Sequence, residues 1–163
     1  MKGKNICYPS KDSFPSISIT GDECHFSCTH CNRKYLKFML HVTQDDLYQK
    51  SIELEKRGAK GLLISGGLDE SGKVPIDYSV LKKIKNDTNL IINLHSGLLK
   101  RNDAKKIMES GIDAVSLDFV GSDDTIKNIL KMPCKVSDYE DTLRFLIEEG
   151  VNFIPHICVG LDL

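Results

Sequence analysis

Residues 16–31 read SISITGDECHFSCTHC: a short β-prone run, a Gly21-Asp22 break, and then Cys24, Cys28 and Cys31 in quick succession. After this loop, Thr43 can cap a helix with Asp45 and Asp46 in its first turn, Leu47, Ile52 and Leu54 as apolar positions, and Gly58 as its stop. The order strand, loop, helix then recurs with short links. Residues 61–65 (GLLIS) run into Gly66-Gly67, residues 77–84 suit a helix, and residues 90–94 (LIINL) suit a strand. A helix over 101–110 stops at Gly111, a strand covers 114–120 (AVSLDFV), a helix over 137–149 stops at Gly150, and residues 152–159 (NFIPHICV) form the last strand. Such alternation, with near-continuous apolar strands, predicts an α/β fold: a parallel sheet of about five strands with covering helices. Periodicity leaves open whether the sheet is doubly wound or part of a (β/α) barrel, but both place chemistry at the C-terminal ends of the strands.

Composition sets the outer bounds. A chain of 163 residues, 40% hydrophobic and 28% charged, is expected to form one domain over residues 1–163, burying roughly 70% of the surface its unfolded form exposes. With 22 basic and 23 acidic residues the net charge is -1, which supplies none of the positive surplus that phosphate-backbone binding uses, so a nucleic-acid partner is not expected. The opening MKGKNICYPS lacks the apolar segment of a signal peptide, and no run reaches membrane-spanning length. The expectation is a cytoplasmic protein with no membrane partner.

Six cysteines in a chain of this size read as ligands or catalysts rather than disulfides. Three of them share the spacing C-x3-C-x2-C, so their thiolates can converge on one face of an iron-sulfur cubane and leave the fourth iron open. Zinc is the competing metal, with His25 or His30 completing a Cys3His set, although structural zinc ligands usually arrive as two separated pairs. Three unligated cysteines would require a coincidence of type, spacing and position.

The C-x3-C-x2-C motif after the first strand of an α/β chain resembles that of the radical S-adenosylmethionine (radical SAM) superfamily. The resemblance implies a partial parallel (β/α) barrel in which Cys24, Cys28 and Cys31 hold a 4Fe-4S cluster whose open iron chelates S-adenosylmethionine. Reductive cleavage of that molecule then yields a 5'-deoxyadenosyl radical for hydrogen abstraction. His30 occupies the place of the family's usual aromatic residue near the adenine. Ser65-Gly66-Gly67 is similar to the Gly-Gly-Glu motif whose backbone meets the methionyl amino group, with Leu68 where glutamate is usual. Residues 152–161 resemble the fifth strand of the branch that includes biotin synthase; Ser116 and Asp118 then correspond to positions facing the ribose or the substrate.

The same resemblance implies a small-molecule substrate, a cofactor precursor among them, and an electron donor protein as partners. Asn93 and Ile154 stand where biotin synthase uses additional cluster cysteines, so a second cluster of that kind is not expected. Asp118, inside an apolar strand, needs either a ligand or an internal hydrogen bond. His95 and His156 read as hydrogen-bonded strand-end residues and Cys158 as core filler, while Cys7 and Cys134 have no assignable role. The sequence ends just past the fifth strand, which predicts a truncated chain or one completed by a second chain. A non-catalytic iron-sulfur or zinc-binding partner subunit is the alternative function.

Overall fold

The computed structural model describes residues 12–161, so Cys7 lies outside the described residues. Six strands form one parallel sheet: β1 (Ser16–Ser18), β2 (Leu40–His41), β3 (Gly61–Ser65), β4 (Ile91–His95), β5 (Ala114–Phe119) and β6 (Phe153–Ile157), in the order β2-β1-β3-β4-β5-β6. Four longer helices connect them: α1 (Gln44–Lys56), α2 (Tyr78–Asp87), α3 (Arg101–Ser110) and α5 (Val136–Glu148). Between β5 and α5 a short α4 (Asp123–Thr125) runs on as a π-turn over Ile126–Leu130. The five expected strands and four expected helices are all present. The sixth strand, β2, is only two residues long and has no pattern to read; it exists because Leu40 and His41 pair with Ile17 and Ser18.

Local chemistry explains the helix ends. Thr43 accepts a hydrogen bond from the Asp46 N–H at the start of α1, as a capping threonine should. Asp77 does the same for Ser79 at the start of α2, and α3 ends at Gly111 with φ 72°, a left-handed conformation that glycine adopts without a Cβ penalty.

Side-chain alternation divides the sheet into two faces. Ile17, Leu62, Ile64, Ile92, Leu94 and Val115 join the core built with Leu47 and Leu54 of α1, Leu81 and Ile84 of α2, Ala104 and Ile107 of α3, and Leu146 of α5. The intervening positions, including Ser65, Asn93, His95, Ser116, Asp118 and His156, line a cavity on the opposite side. Burying each large aliphatic side chain contributes about 1.5–3 kcal/mol. The apolar face therefore fixes which residues remain for chemistry. At the open edge, β6 leaves Ile154 and Ile157 exposed.

Thr142, fully buried on α5, ties that helix to the segment after β4: its Oγ1 accepts from the Leu99 N–H at 3.0 Å and donates to the Asp138 carbonyl at 2.9 Å. Thr142→Val keeps the shape but removes the acceptor for a buried N–H. Urea denaturation is expected to register a loss of about 1–3 kcal/mol; an unchanged midpoint would mean that another group pairs with Leu99.

Candidate functional site

The loop carrying the cysteines is held at both ends by backbone contacts. Ser18 and Thr20 hydroxyls donate to the carbonyls of Gly21 and Glu23, shaping the exit from β1. The turn after β3 then closes against it: the Gly67 N–H donates to Thr20 Oγ1 at 2.7 Å, the Leu68 N–H to Cys24 Sγ at 3.3 Å, and the His25 N–H to the Leu68 carbonyl at 2.8 Å. Further along, the Thr29 N–H donates to the Ile129 carbonyl and the Cys28 thiol to the Leu130 carbonyl at 3.0 Å, so the π-turn after β5 supplies the second support. Gly67 fits because it lacks a side chain. A Cβ there would stand 1.9 Å from the Glu23 carbonyl oxygen and 2.6 Å from Cys24 Cα.

Cys24, Cys28, His30 and Cys31 all line one cavity of about 460 Å³, together with Ser65, Gly66, Gly67, Ser116 and Asp118. Within the loop, the ligand atoms of Cys28, His30 and Cys31 lie within 4.8 Å of one another; Cys24 meets Leu68 instead. Hydrogen bonding from Cys28 holds the Cys31 thiol down at about 5 against the effect of burial, with the Arg33 backbone and the His30 and Lys34 charges assisting. Cys28 is correspondingly pushed up by that hydrogen bond, by burial and by the neighbouring thiols. Thiolate is the form in which cysteine binds a metal.

Across the cavity, Ser65 and Ser116 are buried, and the Ser116 hydroxyl donates to Asn93 Oδ1 at 3.0 Å. Asp118 is flanked by two histidines, His95 Nε2 at 3.4 Å from Oδ2 and His156 Nδ1 at 3.2 Å from Oδ1. The hydrogen bond from His95, opposed by burial and reinforced by His156, keeps the Asp118 carboxyl below the usual carboxylate range.

Cys24, Cys28, His30, Cys31, Ser65, Gly66, Gly67, Ser116 and Asp118 thus face one cavity, whereas His25, Cys134 and Ile154 do not line it. His95 and His156 are hydrogen-bonded at the strand ends as expected, and their partner is Asp118 in that cavity. One reading changes. Cys158 is half-exposed and lines the cavity instead of filling the core. Leu68, at the place of the family's glutamate, packs between the two apolar clusters, and a Cβ on Gly97 would come within 2.7 Å of its Cδ2. Cys134 is half-buried beside the apolar group of Phe26, Leu130 and Tyr139.

Comparison with known proteins agrees with this geometry. A family model described as the radical SAM superfamily matches residues 18–162. The structure is similar to that of methylornithine synthase (PylB), with a TM-score of 0.68 and 17% identity, covering 91% of this chain and 45% of that one. It is also similar to HydG, a maturase of the FeFe-hydrogenase, with a TM-score of 0.66 and 17% identity over 91% of this chain and 35% of that one. The chain therefore spans less than half the length of either structure. No match is found among curated protein sequences. With the family model running from β1 through β6 and the cysteine loop at the mouth of a partial parallel barrel, the chain belongs to the radical SAM superfamily.

Proposed function

We propose that the chain is a radical SAM enzyme, or the N-terminal portion of one, that binds a 4Fe-4S cluster and S-adenosylmethionine in the cavity at the strand ends. Enzymes of this superfamily use both cofactors. The observation that carries the reading is the convergence of Cys24, Cys28 and Cys31, none of them in a disulfide, on the cavity that Gly66 and Gly67 also line. The donor set suits the cluster: three thiols come from one short loop, backed by Phe26, Leu117, Val120, Leu130, Met132 and Tyr139, an apolar wall that limits access of water. When bound, the cluster supplies the electron for reductive cleavage of S-adenosylmethionine to the 5'-deoxyadenosyl radical.

The remaining roles follow from what each group has left to offer. The N–H groups of Gly67 and Leu68 are committed to Thr20 and Cys24, so the Ser65-Gly66-Gly67 turn would meet the methionyl ammonium through carbonyl oxygens, which are acceptors. His30 would lie beside the adenine. Ser116 and Asp118 form the polar wall toward the ribose or the substrate. The substrate is a small molecule, and the ending of residues 152–161 supports kinship with the biotin synthase branch and its cofactor-precursor chemistry. An electron donor protein supplies reducing equivalents. Further strands, from the rest of a longer chain or from a second chain, cover the exposed edge of β6. Five free cysteines among the described residues suit the reducing cytoplasm; no helix among those residues is long and apolar enough to cross a membrane.

A second reading rests on the closeness of Cys28, His30 and Cys31. Together with Cys24 they could hold zinc in a non-catalytic partner subunit.

Two experiments separate these readings. Anaerobic reconstitution is expected to load about four iron and four sulfide per chain, to permit formation of 5'-deoxyadenosine from S-adenosylmethionine and a strong reductant, and to fail when all three loop cysteines become Ala. Stoichiometric zinc without iron would establish the second reading instead. Gly67→Ala, which forces Glu23 and Cys24 apart from the turn, is expected to cost about 1–3 kcal/mol of stability and to lower iron retention although all three thiols remain. Full iron content in that variant would show that the close approach is not needed to place Cys24.

A further inference from the structure

Apart from the cysteine loop, one other set of side chains among the described residues could hold a metal ion: His95, Asp118 and His156. They come from the ends of three adjacent strands. Asp118 pairs in register with His156, and His95 pairs with Ser116, two residues before Asp118. Because strand side chains alternate, this register puts all three on the cavity face. Two imidazoles and a carboxylate are therefore assembled by sheet geometry, on a backbone more rigid than a loop.

Their spacing suits a ligand set as well as hydrogen bonds. The two contacts are 3.4 and 3.2 Å, at or beyond the long end of the hydrogen-bond range. Donors placed about 2.0–2.2 Å from a common ion stand roughly 3 Å or more from one another, and the three ligand atoms lie within 4.8 Å of each other. The two rings are nearly parallel, 22° apart with centroids separated by 6.0 Å. Each Asp118 oxygen faces one ring. Cys158, two residues past His156, lines the same cavity.

We propose that His95, Asp118 and His156 form a second metal site in this protein, for a divalent first-row ion of the iron(II), cobalt(II) or zinc(II) class. Two imidazoles and one carboxylate select such ions over magnesium or calcium and leave coordination positions open. Those positions give onto the cavity, where they take an oxygen or nitrogen donor of the small molecule bound there. Asp118 then serves the substrate end rather than the ribose. This substrate role rests on the proposed function; the metal site itself does not.

Cobalt(II) is the probe. The anaerobically reconstituted protein, dialysed against cobalt(II), is expected to retain about one cobalt in addition to its iron, with visible bands of nitrogen and oxygen ligation. His95→Gln and His156→Gln keep an N–H that can reach Asp118 but remove the imidazole donor. Each is expected to weaken cobalt binding by more than about a hundredfold, beyond the effect of losing an outer-shell partner, while iron content stays the same. Circular dichroism checks that the variants are folded, and Asp118→Asn provides a third loss. Absence of cobalt from the unsubstituted protein, or its retention in both histidine variants, overturns the site. Cobalt retained without iron or S-adenosylmethionine binding would instead defeat the proposed function and leave the metal site standing.

Discussion

The mouth of the cavity depends on the close approach of two backbones, the Gly66-Gly67 turn after β3 and the cysteine loop after β1. No side chain longer than hydrogen fits at Gly67, with the Glu23 carbonyl 1.9 Å from where a Cβ would stand. That proximity lets the Leu68 N–H reach Cys24 and the Leu68 carbonyl accept from His25. One steric condition thus aligns the first cysteine with the end of β3, and the apolar face below keeps β1 and β3 in register through Ile17, Leu62 and Ile64.

The opposite side of the cavity is organised differently. There, the parallel register of β4, β5 and β6 places small polar groups deep and titratable groups at the rim. The buried Ser116 hydroxyl donates to the partly buried Asn93 side chain. Asp118 and the two histidines stand where charge can still be solvated, with close to half of the Asp118 side chain exposed. The same alternation that packs Val115 against the helices therefore also sets the depth at which charge is tolerated.

Much of this was legible in the sequence because the decisive signals are local. C-x3-C-x2-C lies within eight residues, and the glycine stops and helix caps are read from single turns, so the cysteine loop and the order of elements follow from inspection. What escaped is non-local or too short to carry a pattern. β2 is defined by two residues and their partners, and the π-turn over Ile126–Leu130 has no periodicity of its own. The grouping of His95, Asp118 and His156 depends on register across three strands separated by whole helices. Leu68 illustrates a related limit: the motif comparison identifies a missing glutamate, whereas only packing explains why an aliphatic residue is accommodated beside Gly97.

The support given to the cysteine loop by the π-turn has a consequence for the order of events during synthesis. Cys28 bonds to the carbonyl of Leu130, 102 residues later in the chain, and the neighbouring Thr29 N–H waits for Ile129. When β1 leaves the ribosome, the segment that completes the loop has yet to be translated. At about 5–20 residues per second the interval lasts several seconds, during which the three thiols are tethered to one another but not yet held in shape. Completion of the loop geometry is therefore a late step, gated by arrival of the polypeptide that follows β5.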